Sequence, residues 1–384
     1  MHQCTAQTLF RKQEVFHTLI DFLGQIPDHR SDQGKRFSLP LIVCIVLFGF
    51  LKGKTAMEAC VQFATTRRSW FARWFDLTHG VPNATTVTRA LAVALPQDLI
   101  TAVNHFTEAV DGIIVHTGIS MDGKTIRAIS GLKEGCKHFI SLFSHNTCRI
   151  LDQEGVISKE NEITASPRML ERNCLLGSMV TADALLTQTR ITKAIRQSGG
   201  DYLLVVKDNH PDLQEIFEPT FSDPLTHVVT DRWCEGRTTR HIHTTITLTQ
   251  DVDIDDLHSR GWMDITVIGK LTRSGTRVNK GNLTEITETI FFISSRKDLT
   301  PQQAYTFLRS HWHIENKLHW QKDVTWREDR SRAKCGNTPS ILSYLRSFAL
   351  QCLRKQYPSM TQAVETFTEQ PKVYLNLLAS LQLV

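Results

Sequence analysis

Apolar positions recur at helical spacing through roughly the first 108 residues, along Phe16 to Phe22, Leu39 to Leu51, Met57 to Phe63 and Leu95 to Val110. Pro27, Gly53 and Pro82 interrupt the pattern and mark turns. The run from Leu39 to Leu51 is apolar throughout, with Lys52 and Lys54 after it. It falls short of the about 20 residues a bilayer requires, so it predicts a core helix with Pro40 in the first turn. Asn83 is a capping residue ahead of Ala-Thr-Thr-Val-Thr-Arg-Ala-Leu, an amphipathic helix expected to expose Thr85, Thr86 and Arg89. Such a helix suits either the reading of a DNA groove or the plain outer surface of a bundle.

From Gly112 the pattern changes to short β-rich runs alternating with helices. Ile113 to Met121, Phe139 to Ser144, Cys148 to Val156, Met179 to Thr181 and Tyr202 to Val206 read as strands. Gln188 to Gln197 reads as a helix that stops at Gly199-Gly200. Three strands, a helix, a strand, a helix and a further strand is the order of an RNase H-like α/β layer, a mixed sheet flanked by helices. Alternation between about 213 and 295, as in His241-Ile-His-Thr-Thr-Ile-Thr-Leu and Ile265 to Leu271, predicts a β-rich insertion rather than more of the central sheet. From Pro301 the pattern is helical nearly to the C-terminus. The expected organisation is a helical domain over 1–108, followed by an RNase H-like domain over 109–384 that carries the insertion at 213–295.

Composition narrows the class without naming it. With 384 residues, 41% of them hydrophobic, the chain can bury a large core. A net charge of +5 permits a nucleic-acid partner without demanding one. The 9 cysteines are scattered, with no CxxC, so reduced and mostly buried thiols in a cytoplasmic protein are expected rather than a disulfide framework. The N-terminus lacks the layout of a signal peptide, and a soluble protein with no membrane partner is the reading.

Three carboxylates carry the candidate chemistry. Asp122 is read as closing an apolar strand and opening Asp-Gly-Lys-Thr, with Gly123 letting the backbone turn closely; alone, this could be any β-turn. Asp183 repeats the design after Met179-Val-Thr-Ala. In an RNase H-like sheet the first and fourth strands are neighbours, so the two aspartates would lie together, a costly pairing unless a cation sits between them. Glu315 stands in Arg309-Ser-His-Trp-His-Ile-Glu-Asn-Lys-Leu-His-Trp. At α-helical spacing His311, Glu315, His319 and Lys322 share one polar face. Two tryptophans and a leucine beside that stripe argue against full exposure. In-line phosphodiester transfer needs charge stabilised on the attacking and leaving oxygens, which two Mg²⁺ ions held by three carboxylates supply. Lys317, Lys322, Arg327, Arg330, Arg332, Lys334 and Arg346 are candidate phosphate contacts, interleaved with Asp323, Glu328 and Asp329.

These residues resemble the H-repeat-associated group of bacterial insertion-sequence transposases, a branch of the DDE transposases with an RNase H-like core. The resemblance spans nearly the whole chain. It runs through Ile26-Pro-Asp-His-Arg, Val81-Pro-Asn-Ala-Thr-Thr-Val-Thr-Arg, Met121-Asp-Gly-Lys-Thr-Ile-Arg and Lys159-Glu-Asn-Glu-Ile-Thr-Ala. It continues through Thr181-Ala-Asp-Ala-Leu-Leu-Thr-Gln and Gly200-Asp-Tyr-Leu-Leu-Val-Val-Lys-Asp-Asn. The most specific stretch is His311-Trp-His-Ile-Glu-Asn-Lys-Leu-His-Trp. It implies that Asp122, Asp183 and Glu315 are the catalytic, metal-holding residues, with two Mg²⁺ ions that Mn²⁺ can replace. It further implies that Asn161, Glu162 and Lys207 lie near the cleft, and that the insertion is shared with many relatives. Lys124, His311, Asn316, His319 and Lys322 are candidates to support the site or contact DNA. Related transposases often carry Tyr and Arg where this chain has Leu308 and His311, and Gln where it has His210, which puts a phosphate contact there in doubt.

The implied activity is metal-dependent cleavage at the ends of an insertion sequence, then transfer of the 3′-OH ends into target DNA. The implied partners are double-stranded terminal repeats, target DNA and a second copy of the chain, in a bacterial cytoplasm at the nucleoid. The alternative is an inactive DNA-binding relic or repressor of the element. A rival chemistry, an HUH-type nuclease, is raised by His241-Ile-His243 and His311-Trp-His313, but it needs both histidines on one strand face. Zinc-ligand spacing is missing.

Overall fold

A computed structural model describes residues 14–131, 136–156, 161–237, 240–262, 264–279 and 282–354, with 362, 363 and 366. Cys4, Lys159 and Glu160, and most of the helical pattern expected beyond 354, lie outside these residues.

The described residues begin with helices α1 (14–24), α2 (Leu39–Leu51), α3 (Met57–Thr66), α4 (Arg68–Phe71), α5 (Ala84–Val93) and α6 (Pro96–Asp111). Ser38 caps α2 by accepting from the Leu41 N–H, and Pro40 occupies the first turn, where a missing N–H costs nothing. Asp32–Leu51 is apolar and long enough, by composition alone, to cross a membrane. Yet every residue of α2 except Pro40 is buried within the protein. Gly49 makes one of these contacts possible, because a Cβ there would collide with the Cys60 side chain on α3. Asn83 caps α5 by accepting from the Thr86 N–H. Val87, Ala90 and Leu91 face inward, while Thr85 and Arg89 are exposed and Thr86 is half-buried.

A single sheet follows. Its strands are β1 (Gly118–Thr125), β2 (His138–Ser144), β3 (Ile150–Val156), β4 (Met179–Ala182), β5 (Asp201–Val206), β6 (Val228–Arg237), β7 (Arg240–Thr249), β8 (Val267–Asn279) and β9 (Asn282–Ser294). Their spatial order is β3-β2-β1-β4-β5-β9-β8-β7-β6. Only the β1–β4 and β4–β5 pairs are parallel. Helices α7 (Glu162–Glu171), α8 (Thr189–Gln197), α9 (Pro211–Ser222) and α10 (Ile254–Ser259) connect the strands. After β9 come α11 (Pro301–His311), a π-helical turn (Ile314–His319), α12 (Trp320–Trp326) and α13 (Thr338–Arg354). This mixed sheet flanked by helices is the expected α/β architecture, with β1 beside β4.

Two expectations need correction. The β-rich segment is not separate from the central sheet. β9 pairs antiparallel with β5 from Leu203↔Ser294 to Val206↔Phe291, and β8, β7 and β6 extend the sheet beyond it. The cause is the composition of one end of β9: Phe292 and Ile293 are fully buried, and Gly269 on β8 leaves room for the Phe292 ring. The first strand is also shifted from Ile113–Met121 to Gly118–Thr125. Ile113 and Val115 are exposed, whereas antiparallel pairing with β2 carries β1 on to Thr125↔His138. Asp122 and Gly123 are therefore within the strand and make no turn.

The helical N-terminal region shares its core with α13. Phe16, Phe48, Leu91 and Phe106 belong to one buried cluster with Ile341, Leu345 and Phe348 of α13, and with Ile314, Leu318 and Trp326 of the helix that carries Glu315. The Trp326 indole donates 2.8 Å to the Phe50 carbonyl of α2, fixing that helix against the N-terminal bundle. A second cluster fills one face of the sheet beneath α7, α8 and α9.

Every cysteine among the described residues is free. Cys44, Cys60 and Cys352 are buried, but Cys174, Cys234 and Cys335 are exposed, so mostly buried thiols were too broad an expectation.

Candidate active site

The last paired positions of the parallel β1–β4 ladder are Met121↔Ala182. The next residue in each segment is a carboxylate, so Asp122, inside β1, and Asp183, directly after β4, stand side by side where the parallel ladder ends. This is toward the carboxyl end of the parallel strands, where α/β sheets form their crevices. Asp183 also caps a short 3₁₀ turn, Ala184–Leu186, by accepting from the Leu186 N–H at 3.3 Å. Burial of its carboxyl group pushes its pKa up, and the Leu186 N–H opposes this; Asp122 and Glu162 add repulsion.

Glu162 reaches the same place from the start of α7, where Asn161 serves as cap and accepts from the Thr164 N–H at 3.0 Å. Its carboxylate pairs with the His138 ring on β2. Gly123 is what lets this pair lie against β1: a Cβ there would strike both the Glu162 carboxylate and the His138 ring. Lys207 follows β5 directly and is exposed, at the same end of the parallel strands. His210 packs edge-on against Trp262, with ring centroids 5.5 Å apart.

Glu315 arrives from across the cleft. Its helix begins with a capping box between Thr300 and Gln303 and is tied down at His311, whose ring meets Thr181 Oγ1 at 3.0 Å and whose carbonyl accepts from Ser120 Oγ at 3.2 Å. Burial lowers the His311 pKa, against the pull of Asp122 and Thr181. Glu315 is exposed, as is Asn316. Ligand atoms of Asp122, Glu315 and His319 all lie within 4.8 Å of one another. Among the described residues this is the group whose side chains converge as metal ligands; Asp183, His241, His243 and His313 lie outside it, and Asp183 is placed by its strand-end adjacency to Asp122 alone.

The π turn corrects the expected polar stripe. One extra residue in a helical turn rotates everything after it by about 100°. Lys322 thereby points inward and is 2% exposed. Its ammonium lies 3.1 Å from Glu328 and 3.0 Å from Ser343 Oγ. Glu328 is fully buried, and Lys124 and Arg346 reach it at 3.4 Å and 3.5 Å. Lys124 also binds Asp323 at 2.7 Å and the His319 carbonyl at 3.2 Å. Burial alone would raise the Glu328 pKa, but Lys322, Arg346 and Lys124 outweigh it and hold the carboxyl down at about 2. At Lys322 burial dominates and lowers the pKa despite Glu328. Lys322 and Arg346 are thus internal braces, inaccessible to a DNA backbone, and Lys124 is engaged in the same network. Arg327, Arg330, Arg332 and Lys334 remain exposed. Trp312 and Trp320 are also exposed, at 60% and 54%, so they do not shield the glutamate as expected; Leu318 is the buried neighbour.

Sequence reasoning placed Glu328 only among interleaved acids. A buried carboxylate leaves no local signature, because its partners come from β1, α12 and α13.

The profile described as Transposase DDE domain matches residues 114–352, and one described as DDE_Tnp_1-associated matches residues 20–107. YncI of Escherichia coli O157:H7, named provisionally as a transposase, is 29% identical over 88% of this chain and 87% of its own length. YbfL of Escherichia coli strain K12 is 27% identical over 87% of this chain and 90% of its own. YhhI of the same strain, named as H repeat-associated and provisionally as a transposase, is 26% identical over 87% of this chain and 90% of its own. Two adjoining profile matches, relatives aligned along most of both chains, and two adjacent carboxylates where the β1–β4 ladder ends agree: the chain belongs to the DDE transposases, in their H repeat-associated group.

Proposed function

We propose that this chain is an active insertion-sequence transposase, which cleaves DNA at the ends of its element and joins the freed 3′-OH ends to target DNA. The observation that carries the reading is the adjacency of Asp122 and Asp183 just past the last paired positions of the parallel β1–β4 ladder, with Glu315 brought close to Asp122 from a separate helix. The residues fit divalent cations. Burial, and after it the like charges of Asp122 and Glu162, raises the Asp183 pKa, and the His319 ring is buried against Asp122 with neither nitrogen hydrogen-bonded. Asp122, Asp183 and Glu315 would hold the ions, two Mg²⁺ that Mn²⁺ can replace. When bound, the ions supply charge stabilisation for the attacking and leaving oxygens of an in-line displacement.

The protein's own contribution is placement. The β1–β4 ladder fixes two carboxylates, and the His311 contacts to Ser120 and Thr181 fix the helix that brings the third. Exposed Arg327, Arg330, Arg332 and Lys334 carry positive charge for a DNA backbone. A second copy of the chain would serve the second element end, in a bacterial cytoplasm at the nucleoid.

The test is nicking and strand transfer on a plasmid carrying the DNA that flanks the chain's own coding sequence, with Mg²⁺ or Mn²⁺. Wild type is expected to cut at both ends, and Asp122→Asn, Asp183→Asn and Glu315→Gln each to abolish cutting while retaining salt-sensitive DNA binding. Binding without metal-dependent cutting by wild type would instead make the chain a DNA-binding repressor of its element.

A further inference from the structure

We infer that His319 is itself a metal ligand, so that the centre contains a nitrogen donor beside its carboxylates. This rests on the metal-centre reading above and assigns a residue to it. The observation is a buried imidazole in an unusual position. His319 is 3% exposed, and neither ring nitrogen has a hydrogen-bond partner. A buried polar atom without a partner costs on the order of 1–3 kcal/mol, so such atoms call for a ligand.

The ring aims at one. Its Nε2 lies 3.4 Å from Asp122 Oδ2, and its ligand atom falls within 4.8 Å of those of both Asp122 and Glu315. Donors about 2.1 Å from one octahedral ion stand about 3 Å apart when adjacent and about 4.2 Å apart when opposite. The observed spacings approach that range, and Glu315, being exposed, is free to close the remainder.

The local fold explains how the histidine got there. Glu315 and His319 are the second and the last residues of the same π turn, and the Lys124 ammonium grips the His319 carbonyl at 3.2 Å. Lys124 lies two residues beyond Asp122 on β1, so one strand positions both the carboxylate and the backbone of the histidine. An imidazole nitrogen suits transition-metal cations better than Mg²⁺, which prefers oxygen. His319 therefore biases the centre toward Mn²⁺ over Mg²⁺.

The experiment is Mn²⁺ binding by the full chain, followed by electron paramagnetic resonance. Pulsed measurements read ¹⁴N coupling, and circular dichroism confirms the fold of each variant. Wild type is expected to bind Mn²⁺ with imidazole nitrogen coupling. His319→Gln should lose that coupling and bind Mn²⁺ more weakly by about 10-fold or more, with a smaller change for Mg²⁺. Should His319→Gln misfold, nitrogen-15 labelling of histidine in the wild-type chain gives the same readout without a substitution. Mn²⁺ that binds through Asp122 and Glu315 with no nitrogen coupling would overturn the assignment and leave the carboxylate centre intact. Mn²⁺ binding indifferent to Asp122→Asn would instead overturn the metal-centre reading, and His319 with it.

Discussion

At the scale of single residues, two positions set the site by what surrounds them. Gly123 has ordinary extended backbone, so its role is space: a methyl there would push Glu162 and His138 away from β1. Both obstacles are the far ends of side chains that can move. Gly123→Ala should therefore change the thermal midpoint little while displacing a carboxylate beside Asp183. Displacements of about 1 Å at such a site cost on the order of 10²-fold in rate, and metal-dependent cleavage should fall by that order. Unchanged cleavage would show that Glu162 does not have to lie in the cleft. Glu328 is the opposite case, a carboxylate that holds the site from behind. Glu328→Gln leaves Lys322 and Arg346 charged and buried with their shared partner gone, a loss of about 3–5 kcal/mol measurable by urea unfolding. The pH dependence follows from its depressed pKa. The stabilisation is complete above the ordinary value of 4.5 and disappears as pH falls toward about 2. Wild type should thus weaken with acid over that window, and Glu328→Gln should show a shallower decline.

Between residues and the whole chain lie the elements, where sequence patterning was most and least informative. Helices α2, α5 and α8 and strands β2, β4 and β5 could be read within a residue or two, because α5 and α8 bury one clear face with a cap or a glycine stop, while α2 and the strands are unbroken apolar runs buried almost throughout. The adjacency of Asp122 and Asp183 could be inferred from strand order. The π turn could not: Ile314–His319 keeps an apolar spacing compatible with an α-helix, and only the depth of Lys322 reveals the extra residue. Nor was the reach of the sheet legible. β7 alternates polar and apolar residues like a strand of any exposed hairpin, and the membership of the outer strands in the central sheet depends on the few apolar residues of β9 that meet β5. Within that extension Gly275 on β8 has φ of 153°, and a side chain there would run into the His241 backbone of β7. Gly275→Ala should accordingly destabilise the sheet by about 1–3 kcal/mol, most of it as faster amide exchange in β7 and β8. Uniform exchange across all nine strands would argue that the outer hairpins do not open separately.

At the scale of the whole molecule, the N-terminal helices are structural partners of the site as well as candidates for DNA contact. The profile boundary falls between residues 107 and 114, yet the buried cluster crosses it: α2, α5 and α6 cover α13, and Phe50 meets both the Trp326 indole and, 4.9 Å away, the Arg346 guanidinium. Arg346 in turn supports Glu328, and Glu328 supports Lys124, the residue that holds the His319 backbone. Removing residues 1–113 would expose Ile341, Leu345 and Phe348 together, an apolar face larger than soluble monomers tolerate. It would also take the aromatic cover from a buried arginine. The fragment 114–384 should therefore lose cooperative unfolding and near-ultraviolet circular dichroism, and should aggregate where the full chain remains monodisperse. A fragment with a sharp thermal transition and Mn²⁺ affinity equal to that of the full chain would show instead that the core divides at the boundary, with the helical region merely appended. On the contacts of α13 the first outcome follows, because that helix is completed by α2, α5 and α6 from the other side of the boundary.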